Sequence, residues 1–152
     1  MKWTTKSVEE TWRASADFLS KLSLHKRATI VALCGDIGSG KTVFTQGVAK
    51  AAGITEQVTS PTFIVVKKYE IPESGGVSPD IPPYKYLVHV DAYRIKNSDE
   101  IGSLKLEEHL SDPNNLILIE WPERIQGVNL SDIIKVNFKF VNSTTREIEF
   151  SE

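Results

Sequence analysis

Gly35-Asp36-Ile37-Gly38-Ser39-Gly40-Lys41-Thr42 fits G-x-x-x-x-G-K-[ST], the phosphate-binding P-loop. Its glycines let the backbone turn tightly and aim several N–H groups at an anion. A helix beginning here adds unpaired N–H groups and the positive end of its dipole. Lys41 is expected to reach the terminal phosphates, and the Thr42 hydroxyl to help hold Mg²⁺. Context supports the match. Ala28-Thr29-Ile30-Val31-Ala32-Leu33, before the loop, is mostly apolar and reads as a buried strand. Val43 to Ala52, after it, is compatible with a helix closed by Gly53. A glycine turn with an incidental lysine would not need this strand–loop–helix setting.

At 152 residues the chain has the length of one domain, and residues 1–152 are expected to form one P-loop unit. It carries 18 basic and 20 acidic residues, a net charge of -2. That balance argues against a broad nucleic-acid-coating surface but allows a local basic patch. The one cysteine, Cys34, excludes an internal disulfide and a cysteine metal cluster, and reads as structural. The first residues lack the apolar core of a signal peptide, and no apolar run approaches membrane-spanning length. A soluble cytoplasmic protein without membrane contact is the expectation.

Ser7-Val8-Glu9-Glu10 is a capping box, and Val8, Trp12, Leu19 and Leu22 follow at helical spacing. This predicts a helix over residues 8–22 packed on the sheet. Ile64 to Ile71 and Tyr84 to Val90 read as strands. Between them, residues 72–83 hold Pro72, Pro79, Pro82 and Pro83 with Gly75 and Gly76, a loop that reads as a spacer without chemistry. Ser98-Asp99-Glu100-Ile101 opens a short helical stretch through Leu104, Leu106 and Leu110, stopped by Asp112-Pro113. Leu116-Ile117-Leu118-Ile119 reads as a central strand buried on both faces. Ile133 to Val141 and Thr145 to Phe150 alternate around Asn142-Ser143, which predicts a terminal antiparallel hairpin. The fold class is therefore α/β: a P-loop NTPase-like three-layer sandwich, its central sheet mostly parallel, with an antiparallel edge or C-terminal hairpin.

In open α/β sheets, ligands sit beyond the carboxyl ends of the strands. Two further strands end there in carboxylates, Asp91 and Glu120. Mg²⁺ prefers oxygen ligands, and hydrolysis needs a group to orient or deprotonate water. Asp91 and Glu120 are thus candidates for both tasks, with the division between them open; capping of a turn is the plainer alternative. Thr62 could close over the γ-phosphate as switch segments do, or simply bond within its own turn. His89 reads as an ordinary buried histidine paired with backbone, and Arg94 equally as a phosphate partner or a solvated surface charge.

Four segments together carry a resemblance: the P-loop, Ser60-Pro61-Thr62-Phe63, His89-Val90-Asp91-Ala92-Tyr93-Arg94 and Ile119-Glu120-Trp121-Pro122-Glu123-Arg124. Spread in order over residues 28 to 125, they resemble the TsaE family of small bacterial ATPases, formerly called YjeE proteins. The resemblance implies an ATPase needed for making threonylcarbamoyladenosine at position 37 of tRNAs that read ANN codons. It also implies work with a TsaD–TsaB pair, with tRNA reached indirectly or within that complex. By the same resemblance, residues Asp36, Ile37, Gly38, Ser39, Gly40, Lys41, Thr42 and Val43 would hold the nucleotide. Asp91 and Glu120 would serve metal binding and hydrolysis alongside Thr42 and Lys41, Thr62 would be the switch threonine, and Trp121 would stack on the nucleotide or meet a partner. The 72–83 loop is longer than a simple family hairpin would need.

Rival readings are a small-molecule P-loop kinase and a non-catalytic ATP-binding scaffold. A kinase wants a lid of arginines, whereas Arg94, Arg124 and Arg146 are scattered along the chain after the P-loop. A scaffold would not need Asp91 and Glu120. A guanine-nucleotide switch would want Asn-Lys-x-Asp, which is absent.

Overall fold

A computed structural model describes residues 1–59, 66–97, 102 and 104–151. Among the described residues, seven strands form one sheet: β1 (Lys2–Thr5), β2 (Thr29–Cys34), β3 (Val66–Glu70), β4 (Tyr86–Asp91), β5 (Asn115–Glu120), β6 (Ile134–Phe140) and β7 (Arg146–Ser151). Their spatial order is β1-β7-β6-β2-β5-β4-β3. At the centre β6, β2, β5 and β4 run parallel, while β3, β7 and β1 join antiparallel to their neighbours. The sheet is mixed with a parallel centre, and carries both an antiparallel edge and the expected hairpin.

The strands that read as continuous apolar runs are those covered on both faces, as parallel strands must be. Leu116 and Leu118 of β5 join one core with Val31, Leu33 and Leu87, while Ile117 and Ile119 join the other with Ile30, Val88 and Val90. Helices α1 (Val8–Lys21) and α2 (Lys41–Ala51) cover the first face. Helix α3 (Leu106–Ser111) covers the second, through Leu106 and Leu110, making three layers.

Helix α1 starts as the capping box predicts: the Glu10 N–H donates to Ser7 Oγ at 3.1 Å, and the Lys6 N–H to Glu10 Oε2 at 2.7 Å. Leu19 and Leu22 of the predicted stripe are buried in the core, whereas Val8 is not and the face widens to smaller residues. Thr11, Ala14, Ser15, Phe18 and Leu19 are buried, Trp12 is half-buried, and Val8 is 44% exposed. Val8 occupies the first helical turn, beyond the reach of the core, and lines a cleft instead. Rather than lying on the sheet alone, α1 packs against α2, with Phe18 meeting Phe44 at 5.4 Å and Phe150 of β7 at 5.2 Å.

Helix α2 ends as expected, with Gly53 just past it at φ 90°. The 72–83 loop joins β3 to β4 and lies against the end of α2, where the Val77 N–H donates to the Ala51 carbonyl at 2.8 Å. Strand β1 was not predicted. It is four residues long and is held by pairing with β7, Trp3 opposite Ile148. The predicted helix start at Ser98 to Ile101, the first two residues of the predicted strand at Ile64 and Val65, and Thr62 lie outside the described residues.

Candidate nucleotide and metal site

Strand register assembles the site. Leu33, Glu120 and Asp91 are lateral neighbours across β2, β5 and β4, so the P-loop and both carboxylates leave the sheet at the same edge. Side chains two apart on a strand share a face, which puts Glu120 with Leu118, and Asp91 with His89 and Leu87. That is the face covered by α1 and α2, where the P-loop helix begins.

The loop has the geometry of an anion cradle. Gly38 (φ 77°) and Gly40 (φ 103°) hold left-handed conformations that only glycine adopts without strain, and Gly40 caps α2. Lys41 is 7% exposed; its ammonium donates to the carbonyls of Gly35 (2.5 Å) and Asp36 (2.8 Å) and lies 5.3 Å from the Trp121 ring centroid. Those bonds tie its charge to the loop. Ser39 is buried, whereas Asp36 and Ile37 are exposed. Thr42 and Val43 occupy the first turn of α2 and line the cleft.

Glu120 is 4% exposed, and its Oε2 lies 3.3 Å from Nε2 of the fully buried His89. A buried carboxylate is retained where it is paired or binds a cation. Asp91 is half-buried and accepts the Tyr93 N–H on Oδ1 at 3.0 Å. Trp121 follows Glu120 in a left-handed conformation (φ 58°), which costs a non-glycine residue on the order of 1–2 kcal/mol and is characteristic of functional sites. This turn places its ring against Tyr93, centroids 5.1 Å apart, with the Arg124 guanidinium over both rings at 5.2 and 5.7 Å.

These groups surround a cleft of about 870 Å³, within the range of small-molecule sites. Gly38, Gly40, Lys41, Thr42, Val43, Asp91, Glu120 and Trp121, all expected from the sequence, line it together, and so does Arg94. Ile37 lines it as well, while Asp36, exposed, and Ser39, buried, do not. The structure adds a wall the sequence did not announce: Thr5 to Val8 and Thr11 from the N-terminal segment, and Ser143, Thr144 and Arg146 from the hairpin. Thr11 Oγ1 donates to Thr5 Oγ1 at 3.0 Å, fastening α1 to β1.

Of the arginines scattered in sequence, Arg94 and Arg146 line the cleft and Arg124 lies over the Tyr93 and Trp121 rings. Arg146 Nε donates to the Gly38 carbonyl at 3.2 Å, and its Nη1 to the carbonyls of Asn142 (2.6 Å) and Thr145 (3.0 Å). No local pattern marks Arg146; it reaches the loop because β7 pairs with β6, which lies beside β2. Cys34, half-buried before the P-loop, has its thiol pKa pushed up by burial, with the Glu123 charge adding to the effect. An un-ionised thiol fits the structural role read from the sequence. No helix among the described residues is long and apolar enough to cross a membrane.

Fold and site together define an α/β protein of the P-loop NTPase-like class. The chain belongs to the TsaE family: the family model described as "Threonylcarbamoyl adenosine biosynthesis protein TsaE" matches residues 5–148. The chain is 34% identical over 151 residues to the tRNA threonylcarbamoyladenosine biosynthesis protein TsaE of Bacillus subtilis, covering 99% of this chain and 85% of that one. The Haemophilus influenzae protein of the same name is 33% identical, with coverage of 88% and 76%. Among solved structures, the crystal structure of Bacillus subtilis YdiB matches at TM-score 0.70 and 29% identity, covering 99% of this chain and 83% of that chain.

Proposed function

We propose that this chain is a Mg²⁺-dependent ATPase, a single cytoplasmic P-loop domain that supports formation of the threonylcarbamoyl group on adenosine 37 of tRNA. Its partners in this reading are TsaD and TsaB, with tRNA engaged through their complex. The observation that carries the reading is the convergence of Lys41, Thr42, Asp91 and Glu120 on one cleft beside the P-loop. The relatives' names supply the tRNA modification.

The roles follow from chemistry. The Gly38–Thr42 backbone and the start of α2 receive the phosphates, and Lys41 exchanges its loop carbonyls for β- and γ-phosphate oxygens. The donor set fits Mg²⁺: the Thr42 hydroxyl and the Asp91 and Glu120 carboxylates are hard oxygens in one cleft, and this ion takes few protein ligands. Bound there, Mg²⁺ would neutralise charge building on the phosphates. Glu120, buried at the cleft floor, orients or deprotonates the attacking water, while Asp91 serves the metal. The wall from Thr5 to Thr11 and from Ser143 to Arg146 leaves room for ribose and base, and the Trp121–Tyr93 pair offers a stacking or partner surface.

Hydrolysis by the chain alone is expected to be slow. Fast phosphoryl transfer generally uses a cation against the transition state, and one supplied in trans is worth roughly 10³-fold or more. Arg146 is bonded to three backbone carbonyls and Arg124 lies over two aromatic rings, so Arg94 on the cleft wall is the candidate in cis, and the expected partner dependence follows from the family's work with the TsaD–TsaB pair. ATP hydrolysis measured with and without the TsaD–TsaB pair, at matched Mg²⁺, tests this: the pair should raise the rate strongly. A fast rate unchanged by the pair would contradict partner dependence, and phosphorylation of a small acceptor in place of water would favour a kinase.

A further inference from the structure

His89 is fully buried on β4, two residues before Asp91, and its Nε2 lies 3.3 Å from Glu120 Oε2 on the adjacent strand. A carboxylate only accepts, so Nε2 carries the hydrogen and donates it. The other ring nitrogen, Nδ1, is buried without a partner among the described residues. Such an orphaned polar atom is costly, and buried polar groups are normally satisfied. Leu87 precedes His89 on the same strand face, and its lateral neighbours are Leu118 on β5 and Lys67 on β3. A leucine would suit packing there without the unpaired nitrogen, so core stability alone gives no reason for a histidine. The contact with Glu120 does.

We propose that His89 is a positioning residue for Glu120. Its Nε2–H holds Oε2 and fixes the carboxylate rotamer, leaving Oε1 to act at the cleft. The histidine touches neither nucleotide nor water in this role and works through the glutamate, as groups behind a ligand shell do. The inference rests on the hydrolytic role proposed for Glu120.

The test compares His89→Leu, His89→Asn and His89→Gln for ATP hydrolysis with the TsaD–TsaB pair and for binding of a fluorescent ADP analogue. Glutamine can place an N–H near the position of the imidazole Nε2, whereas asparagine is too short. The leucine and asparagine variants should lose roughly 10- to 100-fold in kcat while KM and ADP-analogue affinity stay within about threefold, and glutamine should recover most of the rate. Analogue binding also reports folding, so a leucine variant that fails to fold leaves the glutamine–asparagine comparison to decide. Equal rates in all variants and the wild type would overturn the proposal, as would a folded glutamine variant no faster than asparagine. A ¹⁵N spectrum of the ring supplies a readout apart from turnover: Nε2 should be protonated in the wild type, and its signal should shift in Glu120→Ala. A wild-type chain that hydrolyses no ATP even with its partners would remove the premise of the role. An unmoved ring signal would instead show that the contact itself is absent.

Discussion

Lys41→Ala is expected to abolish measurable ATP hydrolysis and to weaken nucleotide binding. A charge-assisted contact to phosphate is worth about 1.5–3 kcal/mol, or roughly tenfold to a hundredfold in affinity. Two effects add here. The variant loses the cation aimed at the β- and γ-phosphates, and it also leaves the Gly35 and Asp36 carbonyls without the ammonium that ties the loop together. Titration with a fluorescent ADP analogue and a phosphate-release assay read the two parts separately. Undiminished hydrolysis would mean that the loop is not the phosphate site.

The second large effect concerns the carboxylates, which the two strand ends present side by side. Glu120→Gln keeps the shape of the buried side chain and removes its charge. If Glu120 activates water, kcat should fall roughly 10²- to 10⁴-fold with nucleotide affinity nearly unchanged. Asp91→Asn should act differently, raising the Mg²⁺ concentration needed for half-maximal rate. Glu120 is the more buried of the pair and has His89 behind it, whereas Asp91 is half-buried and bonded to its own turn. On those settings we propose the water-activating role for Glu120 and the metal role for Asp91. Normal hydrolysis in both variants would make the strand-end carboxylates structural.

The parts legible in the sequence are those that local chemistry fixes. The P-loop announces itself because glycines and a lysine are needed at fixed spacing, and β2 and β5 because strands buried on both faces carry near-continuous apolar runs. The hairpin of β6 and β7 shows in its alternation around Asn142. What escaped depends on partners distant in the chain. Strand β1 is too short to carry a pattern and exists through its pairing with β7. Arg146 carries no motif and reaches Gly38 through sheet order, while the contact of His89 with Glu120 follows from the register of β4 against β5. The α1 stripe was legible in part: Leu19 and Leu22 join the core, while Val8 fits the spacing but sits in the first turn, and Ser15 and Trp12 lie against Gly47 of α2.

One cleft is proposed to hold the phosphates and the hydrolytic metal together. A structure of the chain with a non-hydrolysable ATP analogue and Mg²⁺ tests it most directly. The β- and γ-phosphates should lie on the Gly38–Thr42 amides, with Lys41 swung from its loop carbonyls onto phosphate oxygen and Mg²⁺ between Thr42 and the Asp91–Glu120 pair. Phosphates bound away from that loop, or a metal that leaves both carboxylates untouched, would contradict it.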